Sequence, residues 1–192
     1  MDGGLYTDVT DAAHRAPHWL DQTILAWSNY GLVVFAVLML AAWWLSRRQG
    51  AALAARALAV PLVVVLAYGV NSVVKRLVEE VRPCRSLSGA FTLETCPGAG
   101  DWSFPSNHSV IAFAAATALL LVHRTLGRVA LVAALAMAAS RVWIGVHYPH
   151  DVLAGALLGV LVALPLTLAA RRAAPLVERG RRTALAPLFG TG

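Results

Sequence analysis

Charged side chains are scarce in this chain: Asp, Glu, Lys and Arg supply 14% of its 192 residues, while hydrophobic residues supply 58%. A soluble globular enzyme carries about a quarter charged residues, so that balance, with a mean hydropathy of +0.65, excludes one. Disorder is excluded too, because Ser, Gln and Glu are too few to keep the chain solvated. Lysine is almost absent, Lys75 being the only one among 16 basic residues. Cysteine is limited to Cys84 and Cys96, too few for a disulfide scaffold and without the neighbouring His cluster of a zinc site. They allow one disulfide or two free thiols. No carboxylate cluster is visible in the spacing, so neither a metal nor a cofactor is expected.

What the chain has is apolar runs. Residues 22–46, 57–74 and 152–170 are free of charge and long enough to cross a hydrocarbon core of about 30 Å. Residues 109–122 are apolar but short, and 129–146 are interrupted near their end by Arg141. The expectation is an all-α polytopic membrane bundle of about five transmembrane helices. It forms a single domain over 1–192, beginning with an interfacial amphipathic segment at 1–21 and ending in a basic cytoplasmic tail at 171–192. The first span follows an acidic segment and precedes no small-residue cleavage site, so it is read as a retained helix rather than a signal peptide.

A net charge of +6 and a pI near 10.1 point to nucleic acid in a soluble protein. In a membrane chain they mark cytoplasmic loops, and no nucleic-acid partner is expected. Placing the N-terminus outside puts Arg47, Arg48, Arg56, Arg124, Arg128, Arg171, Arg172, Arg179, Arg181 and Arg182 inside. The other basic residues then share the outer side with every acidic residue except Glu178.

Three segments on that outer side hold ionisable residues where a purely structural membrane protein avoids them. Residues 75–83 read KRLVEEVRP. If the helix of the second span continues through them, Lys75 and Arg82 project from one face about two turns apart. Alone, the pair is equally a snorkelling one. Next come Pro105, Ser106, Asn107 and His108, just before an apolar run, where Ser106 is placed to cap a helix whose free N–H groups form an anion site. An ordinary cap with an interfacial histidine has the same appearance. The third segment holds Ser140, Arg141, His147, Tyr148, Pro149, His150 and Asp151. Pro149 suits a first helical turn, which sets His147 ahead of the helix and Asp151 within it, close enough to hold an imidazole nitrogen. Cations, a helix-terminus hydroxyl and a carboxylate-oriented histidine are what phosphoryl transfer requires.

In order and spacing, Lys75-x6-Arg82-Pro83, Pro105-Ser106-Asn107-His108 and Ser140-Arg141-x5-His147-x3-Asp151 resemble the three signature motifs of the type 2 phosphatidic acid phosphatase superfamily. The likeness covers roughly residues 70–165, and Asn107 stands where the family commonly has glycine. The short chain and the His147-Tyr148-Pro149 string look most like bacterial undecaprenyl-diphosphate phosphatases of the bacitracin-resistance type. The resemblance implies that His147 is the nucleophile forming a phosphohistidine, that Asp151 orients it, and that His108 is the acid and then the base. It implies phosphate binding by Lys75, Arg82, Ser106, Asn107 and Arg141, without metal. The substrate expected is undecaprenyl diphosphate, handled at the outer face of a bacterial plasma membrane during recycling of the cell-wall lipid carrier. That compartment would permit a Cys84–Cys96 bridge.

Phosphatidylglycerophosphate, phosphatidic acid and other polyprenyl phosphates are rival substrates, because the same cations bind any terminal phosphate. A lipid-phosphate binding or transport module is the rival of another class, but binding alone does not need the set His108, His147 and Asp151. A vanadate peroxidase shares similar motifs and is expected to be soluble. Oligomeric state is not legible in the chain. His150 has no role by resemblance, and Trp102 and Phe104 are candidates for the lipid entrance.

Overall fold

The computed structural model describes residues 3–183 and 186. Positions 1, 2, 184, 185 and 187–192, the outermost parts of the expected N-terminal segment and basic tail, lie outside the described residues. All regular structure among the described residues is helical: α1 (Gly3–His14), α2 (His18–Tyr30), α3 (Leu32–Ser46), α4 (Ala51–Val78), the single turn α5 (Pro83–Ser86), α6 (Asn107–Val122), α7 (Arg124–Trp143), α8 (Pro149–Ala169) and α9 (Ala174–Arg181), with a 3-10 turn joining the last two.

By length and composition α4, α7 and α8 can each cross a membrane, and α2 with α3 qualify together as a pair bent by 50°. The span expected at 22–46 is therefore broken. The break falls at Gly31, where a Cβ would lie 2.5 Å from the Trp27 carbonyl oxygen and 2.8 Å from Met137 Cε, so α7 approaches too closely for a side chain. The span expected at 109–122 is α6, whose 16 residues extend only about 24 Å. It is the central helix, packed by α3, α4, α7 and α8 and buried on nearly every face. A short helix suffices there because it faces protein rather than lipid.

Buried positions recur every three or four residues along the helices around α6, as one interior face requires. On α4 the stripe runs Ala57, Val60, Val64, Ala67, Asn71 and Lys75; on α7 it runs Gly127, Ala130, Ala134, Met137 and Arg141. On α8 it runs Asp151, Gly155, Gly159, Ala163 and Thr167. Each stripe is mostly small or apolar and carries its ionisable residue at one end, the same end of the bundle for all three. Cβ atoms at Gly155 and Gly159 would both lie 2.7 Å from carbonyl oxygens of α6, those of Ser106 and Val110. These two glycines, four apart, bring the α8 backbone onto α6. The opposite faces carry exposed Leu62, Val65, Val132, Leu153, Leu157 and Leu161, the composition of a lipid-facing surface.

Candidate active site

The C-terminal ends of α4 and α7 and the N-terminal ends of α6 and α8 meet at one end of the bundle, and the polar ends of the three stripes converge there. Lys75, Arg82 and Arg141 are 8%, 4% and 5% exposed. Isolated charges buried to that degree cost several kcal/mol each unless partnered. Lys75 donates to the Trp102 carbonyl. Arg82 donates from Nε to the Asp101 carbonyl at 2.8 Å, from Nη2 to Asp101 Oδ1 at 3.0 Å and from Nη1 to the Val146 carbonyl at 3.0 Å. Arg141 donates to Ser28 Oγ at 2.7 Å and to Glu94 Oε1 at 3.4 Å.

Lys75 and Arg82 do not sit on one helix, as helical continuation would have them. Helix α4 ends at Val78, and Glu79 takes the left-handed conformation at φ 52°. Arg82 then lies in extended backbone ahead of α5. The two cations still converge, because the chain folds back rather than because a helix face carries both.

His147, 1% exposed, lies in the connection between α7 and α8. The turn into this connection is made at Gly145, where φ is +81° and a Cβ would lie 2.3 Å from the Phe91 carbonyl oxygen. The His147 Nδ1 lies 3.2 Å from Asp151 Oδ2, and its Nε2 lies 3.1 Å from Arg82 Nη1. An ionised carboxylate only accepts and a guanidinium only donates, so the neutral ring carries its proton on Nδ1 and presents the Nε2 lone pair. Burial pushes the imidazole down to about 3, which keeps it neutral. Asp151 Oδ2 also accepts from the Ser103 hydroxyl and from the Tyr148 backbone N–H at 2.7 Å. The second contact belongs to a capping box that starts α8 at Pro149.

Ser106 occupies the N-cap position of α6, but its side chain makes no capping bond. Its Oγ is buried without a hydrogen-bond partner among the described residues, beside the free first-turn N–H groups of α6. Asn107 holds the motif in place: Asn71 Nδ2 donates to Asn107 Oδ1 at 2.6 Å and to the Pro105 carbonyl at 3.4 Å. His108, in the first turn of α6, is within electrostatic reach of Arg141, Arg82, Lys75 and Asp101. The structure thus gathers Lys75, Arg82, Ser106, Asn107, His108, Arg141, His147 and Asp151 at one end of the bundle.

Ser103, Asn71, Asp101, Glu94 and Ser28 were not legible as site residues, since each is a common polar residue far in sequence from its partner. The bridge pairs Cys84 with Cys96, Cα–Cα 6.0 Å, closing the loop that carries Glu94 toward Arg141. His150 lies 2.8 Å from Glu80 Oε1 and stacks on Tyr148 at 5.3 Å between centroids, with Phe104 at 5.9 Å. Sequence spacing shows no metal-ligand cluster, yet the fold brings Glu80, His150 and Asp151 donor atoms within 4.8 Å of one another.

Residues 56–174 match the PAP2 superfamily. Undecaprenyl-diphosphatase BcrC of Bacillus subtilis is 28% identical over 159 residues, 81% of this chain and 79% of that protein. Bacitracin transport permease protein BcrC of Bacillus licheniformis is 53% identical over 64 residues, 33% of this chain and 32% of that protein, so the chain matches about a third of that relative's length. A transmembrane PAP2-type phosphatidylglycerolphosphate phosphatase from Bacillus subtilis shares the fold at a TM-score of 0.63 and 22% identity, over 88% of this chain and 86% of that one. The chain belongs to the PAP2 superfamily, as a multi-pass helical membrane phosphatase.

Proposed function

We propose that this membrane phosphatase removes the terminal phosphate of undecaprenyl diphosphate, yielding undecaprenyl phosphate and inorganic phosphate. The observation that carries the chemistry is the neutral His147, its Nδ1–H turned to Asp151 and its Nε2 turned to Arg82. The diphosphate part of the reading rests on the similarity to an undecaprenyl-diphosphatase over most of both chains.

Nε2 attacks the terminal phosphorus as the bond to the bridging oxygen breaks, and His108, whose imidazolium is favoured once the bound diphosphate's negative charge offsets the neighbouring cations, gives its proton to the departing phosphate. The phosphohistidine is then hydrolysed by a water whose proton returns to His108. Two displacements replace one difficult step. Arg82, Arg141 and Lys75, with the Ser106 hydroxyl and the first amides of α6, neutralise charge on the transferring oxygens. These groups supply the positive charge that a metal supplies in other phosphatases. Asp101, half exposed and bonded to the Arg82 guanidinium, is the group that substrate phosphate displaces. The excess of arginine in the short loops at the opposite end supports a cytoplasmic position for that end and a site at the outer face of a plasma membrane.

The test is phosphate release by the detergent-solubilised chain from undecaprenyl diphosphate and from phosphatidylglycerophosphate, each with and without EDTA. Acid-labile label trapped on His147 from terminally labelled substrate accompanies it. EDTA-resistant release, fastest from the diphosphate, with label on His147, is the expected result. Label elsewhere, or equal rates on both lipids, would overturn the mechanism or the substrate respectively.

A further inference from the structure

His150 takes no part in the chemistry above, yet it joins the two halves of the site. Its Nε2 lies 2.8 Å from Glu80 Oε1 and 3.4 Å from Asp151 Oδ1, and the three donor atoms fall within 4.8 Å of one another. Bonds of about 2.0 to 2.2 Å in a tetrahedral zinc site set neighbouring donors roughly 3.3 to 3.6 Å apart, so this spacing needs only small side-chain adjustments. One imidazole and two carboxylates are a zinc donor set, and two carboxylates with a neutral imidazole carry the charge that balances a divalent cation. A second, independent observation points to a ligand. Asp151 is wholly buried, and while Oδ2 is held by His147, Ser103 and Tyr148, Oδ1 has no hydrogen-bond partner among the described residues. A buried carboxylate oxygen that makes no hydrogen bond and meets only the His150 Nε2 at 3.4 Å is poorly compensated, and a bound cation would relieve it.

We infer that Glu80, His150 and Asp151 form a zinc site sharing the carboxylate that orients His147. His150 is 37% exposed and gives an ion access from outside. Zinc on Oδ1 draws electron density from the carboxylate that holds Nδ1–H and adds positive charge beside the nucleophile, so occupancy slows turnover.

The binding half stands on geometry alone; the inhibitory half rests on the proposed phosphatase reading. The probe is Co2+ as a spectroscopic stand-in for Zn2+, added to the metal-stripped, detergent-solubilised chain. Expected are tetrahedral visible bands saturating at one Co2+ per chain and displaced by Zn2+, abolished in His150→Ala and weakened at least tenfold in Glu80→Gln. Phosphate release falls at least tenfold with zinc in the wild type and is unaffected by it in His150→Ala. Cobalt bands that persist in both variants overturn the site, as does equal zinc inhibition of wild type and His150→Ala. A wild-type chain that binds cobalt at this stoichiometry but releases no phosphate sinks the phosphatase reading and leaves the site standing.

Discussion

Arginines sit at both ends of the bundle and are handled in opposite ways. At the site end Arg82 and Arg141 are almost fully buried, bonded to Asp101 and Glu94 and aimed inward by their backbone positions. At the other end Arg181 donates to the carbonyls of Arg47 and Gln49, and the Arg47 guanidinium lies 3.4 Å over the Trp44 ring. The second arrangement is what a membrane boundary imposes on a long basic side chain: the stem lies along apolar surface and the head finds carbonyls, aromatics or water. The first costs desolvation and is worthwhile only if an anion is to be met there. Burial, not residue type, separates a phosphate-binding arginine from an anchoring one.

The sharpest way to break that contrast is at its centre. His147→Ala is expected to lower kcat by about 10⁴-fold or more, the scale on which loss of a nucleophile acts, while detergent-extracted yield and melting temperature stay near wild type. Loss of both together would mark His147 as structural. Next, Arg82→Ala should cost about 10² to 10³ in kcat/KM, as removal of a charge-stabilising donor does, whereas Arg181→Ala should stay within about twofold. Equal losses in the two would erase the distinction between the ends.

Replacing both cysteines by serine tests the covering loop. A bridge of sequence separation 12 contributes about 3 kcal/mol by chain entropy, so the melting temperature should fall by several degrees, with a smaller loss of activity as Glu94 loosens from Arg141. Unchanged melting would show that the loop is held by its hydrogen bonds alone. The last effect vanishes near neutral pH and appears only in acid. His147 titrates near 6.5 in the unfolded chain and at about 3 in the folded one, so between those values the unfolded state binds the extra proton. Its contribution is fully present above about 6.5 and is lost as pH falls toward 3, at no more than about 1.4 kcal/mol per pH unit. His147→Gln should flatten that part of the stability profile measured by thermal melts; an unchanged slope would assign it to other groups.

Much of this site is readable from local pattern. Pro149 after His147, with Asp151 two residues on, fixes a helix start and a carboxylate within reach of the imidazole, and α8 begins there. The partners of those residues are not readable. Ser103 on Asp151, Asn71 on Asn107 and Glu94 on Arg141 are contacts across 36 to 48 positions between residue types common on any surface. The continuity expected at 22–46 fails for the same reason, since Gly31 matters only because Met137 packs against it.

Local pattern is enough to set the solvent in which this chain folds, the helical form of its backbone and the identity of the ionisable residues at one end of its spans. Each follows from periodicity, composition or neighbouring residues, which act within a few turns of a helix. Tertiary structure alone decided that α6 is a central strut, that Arg82 faces His147 from a folded-back segment, and that Glu80, His150 and Asp151 meet. Those outcomes depend on close approach between helices distant in the chain, and a single sequence carries no term for the distance between such residues.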